Sequence, residues 1–136
     1  MTTESITIVL PLPAAVLSPN CTIGSFGGRM MKAEASKRYR RLACEAVEAE
    51  DVETAPWGLC GVKAAFYHKT GRTRDQDNAM GALKAAYDGV VDAGLVKNDD
   101  YAHMKRESPV FAIDKEYPRV ILTITRYDET TSGEEK

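Results

Sequence analysis

Ser5 to Leu10 alternates apolar and polar residues through Ile6, Thr7, Ile8 and Val9, and this period of two predicts a β-strand. Pro11 and Pro13 end it, because proline brings no N–H to a sheet ladder. From Ala14 to Gly28 the period is lost. Ser18-Pro19-Asn20 and the glycines Gly24, Gly27 and Gly28 predict a long loop there. Lys32 to Glu50 takes up a helical period, with Ala35, Tyr39, Leu42, Ala43 and Ala46 on one stripe. Thr54 to Gly58, with Pro56, reads as a connection, and Leu59 to Tyr67 as a second strand with Val62, Ala64 and Phe66 on one face. His68 to Asp77 is a polar loop. Asn78 to Ala93 predicts a second helix whose apolar stripe is Met80, Leu83, Tyr87, Val90 and Val91. Gly94 stands where a helix C-terminus takes a left-handed residue. Tyr101 to Phe111 is a weak strand pattern. Arg119 to Arg126 is a stronger one, with Val120, Leu122 and Ile124 alternating. The last residues are polar and acidic and predict a disordered tail.

The element order is therefore β-α-β-α-β-β, and the expected fold is α+β: a small mixed β-sheet with two main helices packed on one face, which buries both helical stripes. A chain of 136 residues supports one domain with a single modest core. We assign it to residues 1–127, with the acidic tail at 128–136. No internal repeat is visible. No apolar run approaches about 18 residues, so no membrane span is expected. The start of the chain has no basic segment followed by an apolar one, and the expected location is the cytoplasm. Cys21, Cys44 and Cys60 are odd in number and widely spaced, which points to reduced thiols rather than a zinc site or a disulfide framework.

Charge changes the picture through its distribution. The net charge is −2, which alone argues mildly against a nucleic-acid partner. Yet Arg29, Lys32, Lys37, Arg38, Arg40 and Arg41 are interrupted only by Glu34, and Lys63, Lys69, Arg72 and Arg74 lead up to Asp75. A mildly acidic chain with such clusters can present a basic face.

The segment from Arg72 to Asp100 carries the candidate chemistry. Asp75 and Asp77 stand two apart before a helix, so in extended chain both carboxylates point to one side and can hold a hard divalent cation. Asp77, Gly81, Lys84 and Asp88 stack one turn after another on the helix. A lysine near metal-binding carboxylates can stabilise charge on a phosphate. Asp99 and Asp100 follow the helix, and the turn after Gly94 can return them to either end of it. The plainer readings are a helix cap at Asp77 or Asn78, a surface pair of Lys84 with Asp88, and a solvated turn at Asp99-Asp100. Tyr87 is assigned to the core, and His68 and His103 read as isolated.

This segment resembles the signature of the RusA family of Holliday junction resolvases. It has arginines (Arg72, Arg74), then Asp75-Gln76-Asp77-Asn78, a helix with Lys84 and Asp88, a small-residue turn at Ala93-Gly94 and the pair Asp99-Asp100. The Leu-Pro-Leu-Pro segment after the first strand, Ser18-Pro19-Asn20, Gly28-Arg29, Lys32 and Tyr39-Arg40 extend the likeness over nearly the whole chain except the tail. The resemblance implies that Asp75, Asp77 and one of the later pair, Asp100 in preference to Asp99, bind a catalytic Mg²⁺ (or Mn²⁺ in its place), and that Lys84 assists at the phosphate. It implies a homodimer cutting four-way DNA junctions by paired symmetric nicks in recombination and repair. Asn20, Arg29, Lys32, Lys37, Arg38, Arg40, Arg41, Lys69, Arg72 and Arg74 are the expected DNA contacts. The chain departs from the family pattern in a longer gap between Asn78 and Lys84, a longer turn before Asp99 and a thinner arginine run. A non-catalytic branched-DNA-binding or phage assembly protein, and a nuclease acting on other branched substrates, remain the alternatives. In the junction-cutting reading the Gly24–Gly28 loop with Phe26 is a candidate for entering the centre of the junction, with an ordinary flexible loop as the rival.

Overall fold

The computed structural model describes residues 4–17, 26–71 and 76–127. Strand β1 (Ser5–Leu10) is followed by a single 3₁₀ turn at Ala15–Leu17 and by the long helix α1 (Phe26–Ala49). Next come β2 (Cys60–His68), the short helices α2 (Gln76–Ala82) and α3 (Lys84–Asp92), and the strands β3 (Met104–Arg106), β4 (Val110–Ile113) and β5 (Arg119–Arg126). The fold is α+β, and the sheet is mixed. β5 lies between β1 and β2 and is antiparallel to both, while β3 and β4 run parallel to β2 along its other edge.

Burial follows the periods in the sequence. Val120, Leu122 and Ile124 of β5 are wholly buried, as are Val62, Ala64 and Phe66 of β2 and Ile8 and Leu10 of β1. Their neighbours in register, Thr7, Thr123 and Lys63, lie on the other, open face of the sheet. The covered face packs against Tyr39, Ala43 and Val47 of α1 and Ala86, Tyr87 and Val90 of α3. The Tyr39 hydroxyl donates to the Pro11 carbonyl at 2.7 Å and pins α1 to the end of β1. Trp57 is buried in the connection after α1, where its N–H donates to the Leu95 carbonyl at 2.7 Å and its indole Nε1 donates to Thr54 Oγ1 at 2.8 Å.

Four features differ from the sequence expectation, the first being that α2 begins at Gln76, so the Asp77 backbone lies in a helical turn rather than in extended chain before the helix. Helix α1 begins at Phe26, so Phe26, Gly27 and Gly28 belong to its first turn rather than to a loop. Two glycines cost about 1 kcal/mol each in a helix interior, and the turn is carried by the good helix formers Met30, Met31 and Lys32 that follow. The remainder of that expected loop, with Asn20, lies outside the described residues, as does the tail at 128–136. The second helix is divided at Leu83, whose backbone (φ −89°, ψ 1°) leaves the helical basin between α2 and α3. The weak strand is two strands, because Pro109 has no N–H to give to β2. Among the described residues no helix is long and apolar enough to cross a membrane.

Candidate active site

Leu83 is fully buried and fixes the joint between α2 and α3. Its N–H donates to the Met80 carbonyl and its own carbonyl accepts from Tyr87, both at 3.1 Å, so the two helices run on with one turn altered. The next residue, Lys84, opens α3 and faces solvent with 58% of its side chain exposed. At the other end Gly94 adopts a φ of 85°, a left-handed conformation suited to glycine, and the chain reverses. Leu95 and Val96, both buried, then anchor the returning strand of chain. The sequence left open which end of the helix the acidic pair returns to. The structure brings Asp99 to neither end of the predicted helix but to Lys84 inside it, where α3 begins.

There Lys84 Nζ donates to Asp88 Oδ1 at 2.9 Å and to Asp99 Oδ2 at 2.5 Å. The Arg106 guanidinium, carried on β3, donates to the same Asp99 Oδ2 at 3.0 Å and to the Asp99 carbonyl at 3.2 Å. It also lies over the Tyr87 ring at 4.4 Å from the centroid. The hydrogen bond from Lys84 holds the Asp99 carboxyl below the usual carboxylate range, with Asp88 and Arg106 adding to the effect against partial burial. The bonds from Asp99 and Asp88 raise Lys84 in turn. Asp88, Asp99, Lys84 and Arg106 thus form one connected cluster of acidic and basic side chains. Lys84 is therefore held in its ammonium form.

Asp100 takes a different position. Its carboxylate is 51% exposed and meets His103 Nδ1 at 2.6 Å, while its carbonyl accepts from the N–H groups of His103 and Met104. Asp99, by contrast, has only 18% of its side chain exposed. Of the pair, Asp99 and not Asp100 is brought to Lys84. His103, read as isolated, is paired with Asp100. Tyr87 is buried as expected, and one face of its ring also receives Arg106.

Beside this array a groove of about 390 Å³ runs between α1 and the α2–α3 pair, with Lys32, Lys37 and Arg40 on one wall and Gly81, Lys84 and Asp88 on the other. Gly81, lacking a side chain, lies on the groove wall next to Lys84. The basic stretch of α1 is thus split by position. Lys32 and Lys37 line the groove, and Arg40 lines it too but is tied to Asp92 by a two-point pair at 2.5 and 2.8 Å. Arg29, Arg38 and Arg41 are exposed along α1, and Lys69 is exposed just after β2.

Asp75, Arg72 and Arg74 lie outside the described residues, and Asp77 is placed only as a backbone position in the first turn of α2. Among the described residues no group of three His, Cys, Asp or Glu side chains is gathered to hold a metal ion. The predicted donors that are described, Asp99 and Asp100, are hard oxygen ligands of the kind Mg²⁺ takes with one or two carboxylates and several waters. The sequence reading missed Arg106. Its only signal was a basic residue in the weak strand after the acidic pair, and nothing in the spacing tied it to Tyr87. A comparison with protein-family models and one with curated proteins each found no match.

Proposed function

We propose that this chain is a Mg²⁺-dependent endonuclease of the RusA type that cuts branched DNA at four-way junctions as a homodimer. The observation that carries the reading is the return of Asp99 to Lys84, which also holds Asp88, on α3, the helix that follows α2 and its Asp77. Asp99 is 22 residues from Asp77 in sequence, and burial of Leu95 and Val96 carries it back to Lys84. The basic groove alongside adds the means to hold a phosphate backbone.

In this reading Asp75, Asp77 and one carboxylate of the Asp99-Asp100 pair would hold the metal. When bound, Mg²⁺ supplies a polarised phosphodiester and a water of lowered pKa. The chain's own groups do the rest. Lys84, kept protonated by Asp99 and Asp88, exchanges one of these anions for a phosphate oxygen and stabilises the charge that develops there. Lys32 and Lys37 grip neighbouring phosphates and fix the strand's register. Two symmetric cuts require two such sites, which a two-fold dimer provides. The ion pairs already made by Asp99 favour a competing reading, a DNA-binding module in which the aspartates are structural.

One experiment separates the two. The protein is incubated with a labelled mobile four-way junction, a matched duplex and a single strand, with Mg²⁺ or EDTA, beside Asp77→Asn. The nuclease reading expects paired nicks in the junction alone, dependent on Mg²⁺ and lost in the variant. Tight binding of the junction with no cleavage under Mg²⁺ or Mn²⁺ would leave the binding module.

A further inference from the structure

We infer that Arg106 is a positioning residue: it clasps Asp99 against the Lys84 face of α3 and thereby makes Asp99, rather than Asp100, the working carboxylate of the pair. The inference rests on the nuclease reading above and adds a residue to it.

Arg106 holds Asp99 at two points, the side-chain Oδ2 and the main-chain carbonyl, so it fixes both the carboxylate and the backbone that carries it. Arg106 is itself braced. Its strand β3 pairs in parallel with β2, with Arg106 opposite Val62. The following N–H, of Glu107, donates to the Val62 carbonyl at 2.9 Å. Its guanidinium rests on Tyr87, a ring that is 2% exposed and cannot swing away. The other partner of Asp99 is mobile by comparison, since Lys84 is largely exposed and carries its charge on a flexible stem. When a phosphate competes for Lys84, the Arg106 clasp keeps Asp99 in place. Asp100 has separate work. Its carbonyl and carboxylate close the turn Asp100–His103 that leads into β3 and so into Arg106. A guanidinium suits this role because it can stack on a ring and donate in its own plane at once, and an ammonium cannot.

The test compares Arg106→Gln, Arg106→Lys, Asp99→Asn and Asp100→Asn with the wild type, after circular dichroism has shown each to be folded. Junction cleavage with Mg²⁺ gives kcat and KM, junction binding in EDTA gives affinity, and hydrogen exchange follows the amides of residues 97–103. Loss of a residue that orients a metal-site carboxylate costs about 10- to 100-fold in activity. Arg106→Gln is therefore expected to lower kcat by that factor, with KM and EDTA binding within about threefold of wild type. Arg106→Lys is expected to recover part of the loss. Exchange at 97–103 should quicken in Arg106→Gln while β5 is unaffected, and Asp99→Asn should lose more activity than Asp100→Asn. The proposal is overturned by a larger loss in Asp100→Asn, by an unchanged kcat in Arg106→Gln, or by weakened EDTA binding at constant kcat, which would make Arg106 a phosphate contact. A wild type that cuts no DNA defeats the nuclease reading itself. The exchange result then judges the clasp alone, and unchanged exchange overturns it.

Discussion

Replacing Gly89 with alanine tests the close approach of α1 to α3. A Cβ at this position would stand 2.2 Å from the Arg40 carbonyl oxygen, 2.8 Å from the Ala43 Cβ and 3.0 Å from the Cys44 nitrogen. Two of these three atoms belong to the backbone of α1, so no side-chain rotation relieves the clash. A carbon and an oxygen need about 3.3 Å or more, and α1 and α3 must therefore part by about 1 Å. A gap of that size forfeits a quarter to a half of the dispersion energy of each contact it opens, here around Tyr39, Ala43, Tyr87 and Val90. Overpacking of this kind costs about 1–3 kcal/mol, and more where backbone is involved. Alanine returns up to about 1 kcal/mol of helix propensity. The expected net loss is about 2 kcal/mol, equivalent to a fall in Tm of about 8 °C for a domain of this size. Urea titration followed by far-ultraviolet circular dichroism measures it. A Gly89→Ala variant as stable as the wild type, or more stable by the propensity gain, would refute a helix crossing this tight.

Three further outcomes follow from particular contacts. Asp92 is held below its ordinary value of 3.8, first by the hydrogen bond from Arg40, so its contribution is present above that value and fades as pH falls through the lower folded value. The pair is exposed, so Asp92→Asn should cost no more than about 1 kcal/mol at neutral pH, with the difference from wild type vanishing in acid. A difference that persists at low pH would point to packing instead. Burial pushes the Cys60 thiol up to about 12, so iodoacetamide at mild alkaline pH should leave Cys60 unlabelled in the native protein and label it in urea. Peptide mass spectrometry reads this directly, and native labelling of Cys60 would contradict its burial. Lys32→Gln and Lys37→Gln should each weaken junction binding in EDTA alike for all DNA sequences and reduce the slope of log K against log salt by about 1. An unchanged slope would remove the groove from the DNA interface.

The strands and core stripes were legible in the sequence because each is a short-range period. β1 and β5 fall where the alternation placed them. Val62, Ala64, Phe66, Val120, Leu122 and Ile124 are buried as their spacing required. Gly94 marked its reversal because a left-handed backbone there suits glycine and few other residues. The pair of Lys84 with Asp88 was visible too, since residues four apart on a helix are neighbours by geometry alone. Other features depended on contacts distant in the chain. The break at Leu83 answers to burial and not to propensity. Phe26 starts α1 although glycines follow it. The choice between Asp99 and Asp100 turns on how far the chain travels after Gly94 before Leu95 and Val96 are buried, a three-dimensional condition that no spacing states. Arg106 reaches Asp99 because β3 aligns with β2, and its guanidinium rests on the buried ring of Tyr87. The sequence by itself determined which residues form the elements and which side chains carry charge or oxygen ligands, since those follow from local period and residue type. Tertiary packing alone decided which of those charges meet, because that depends on where the sheet and the helix pair bring distant segments of the chain together.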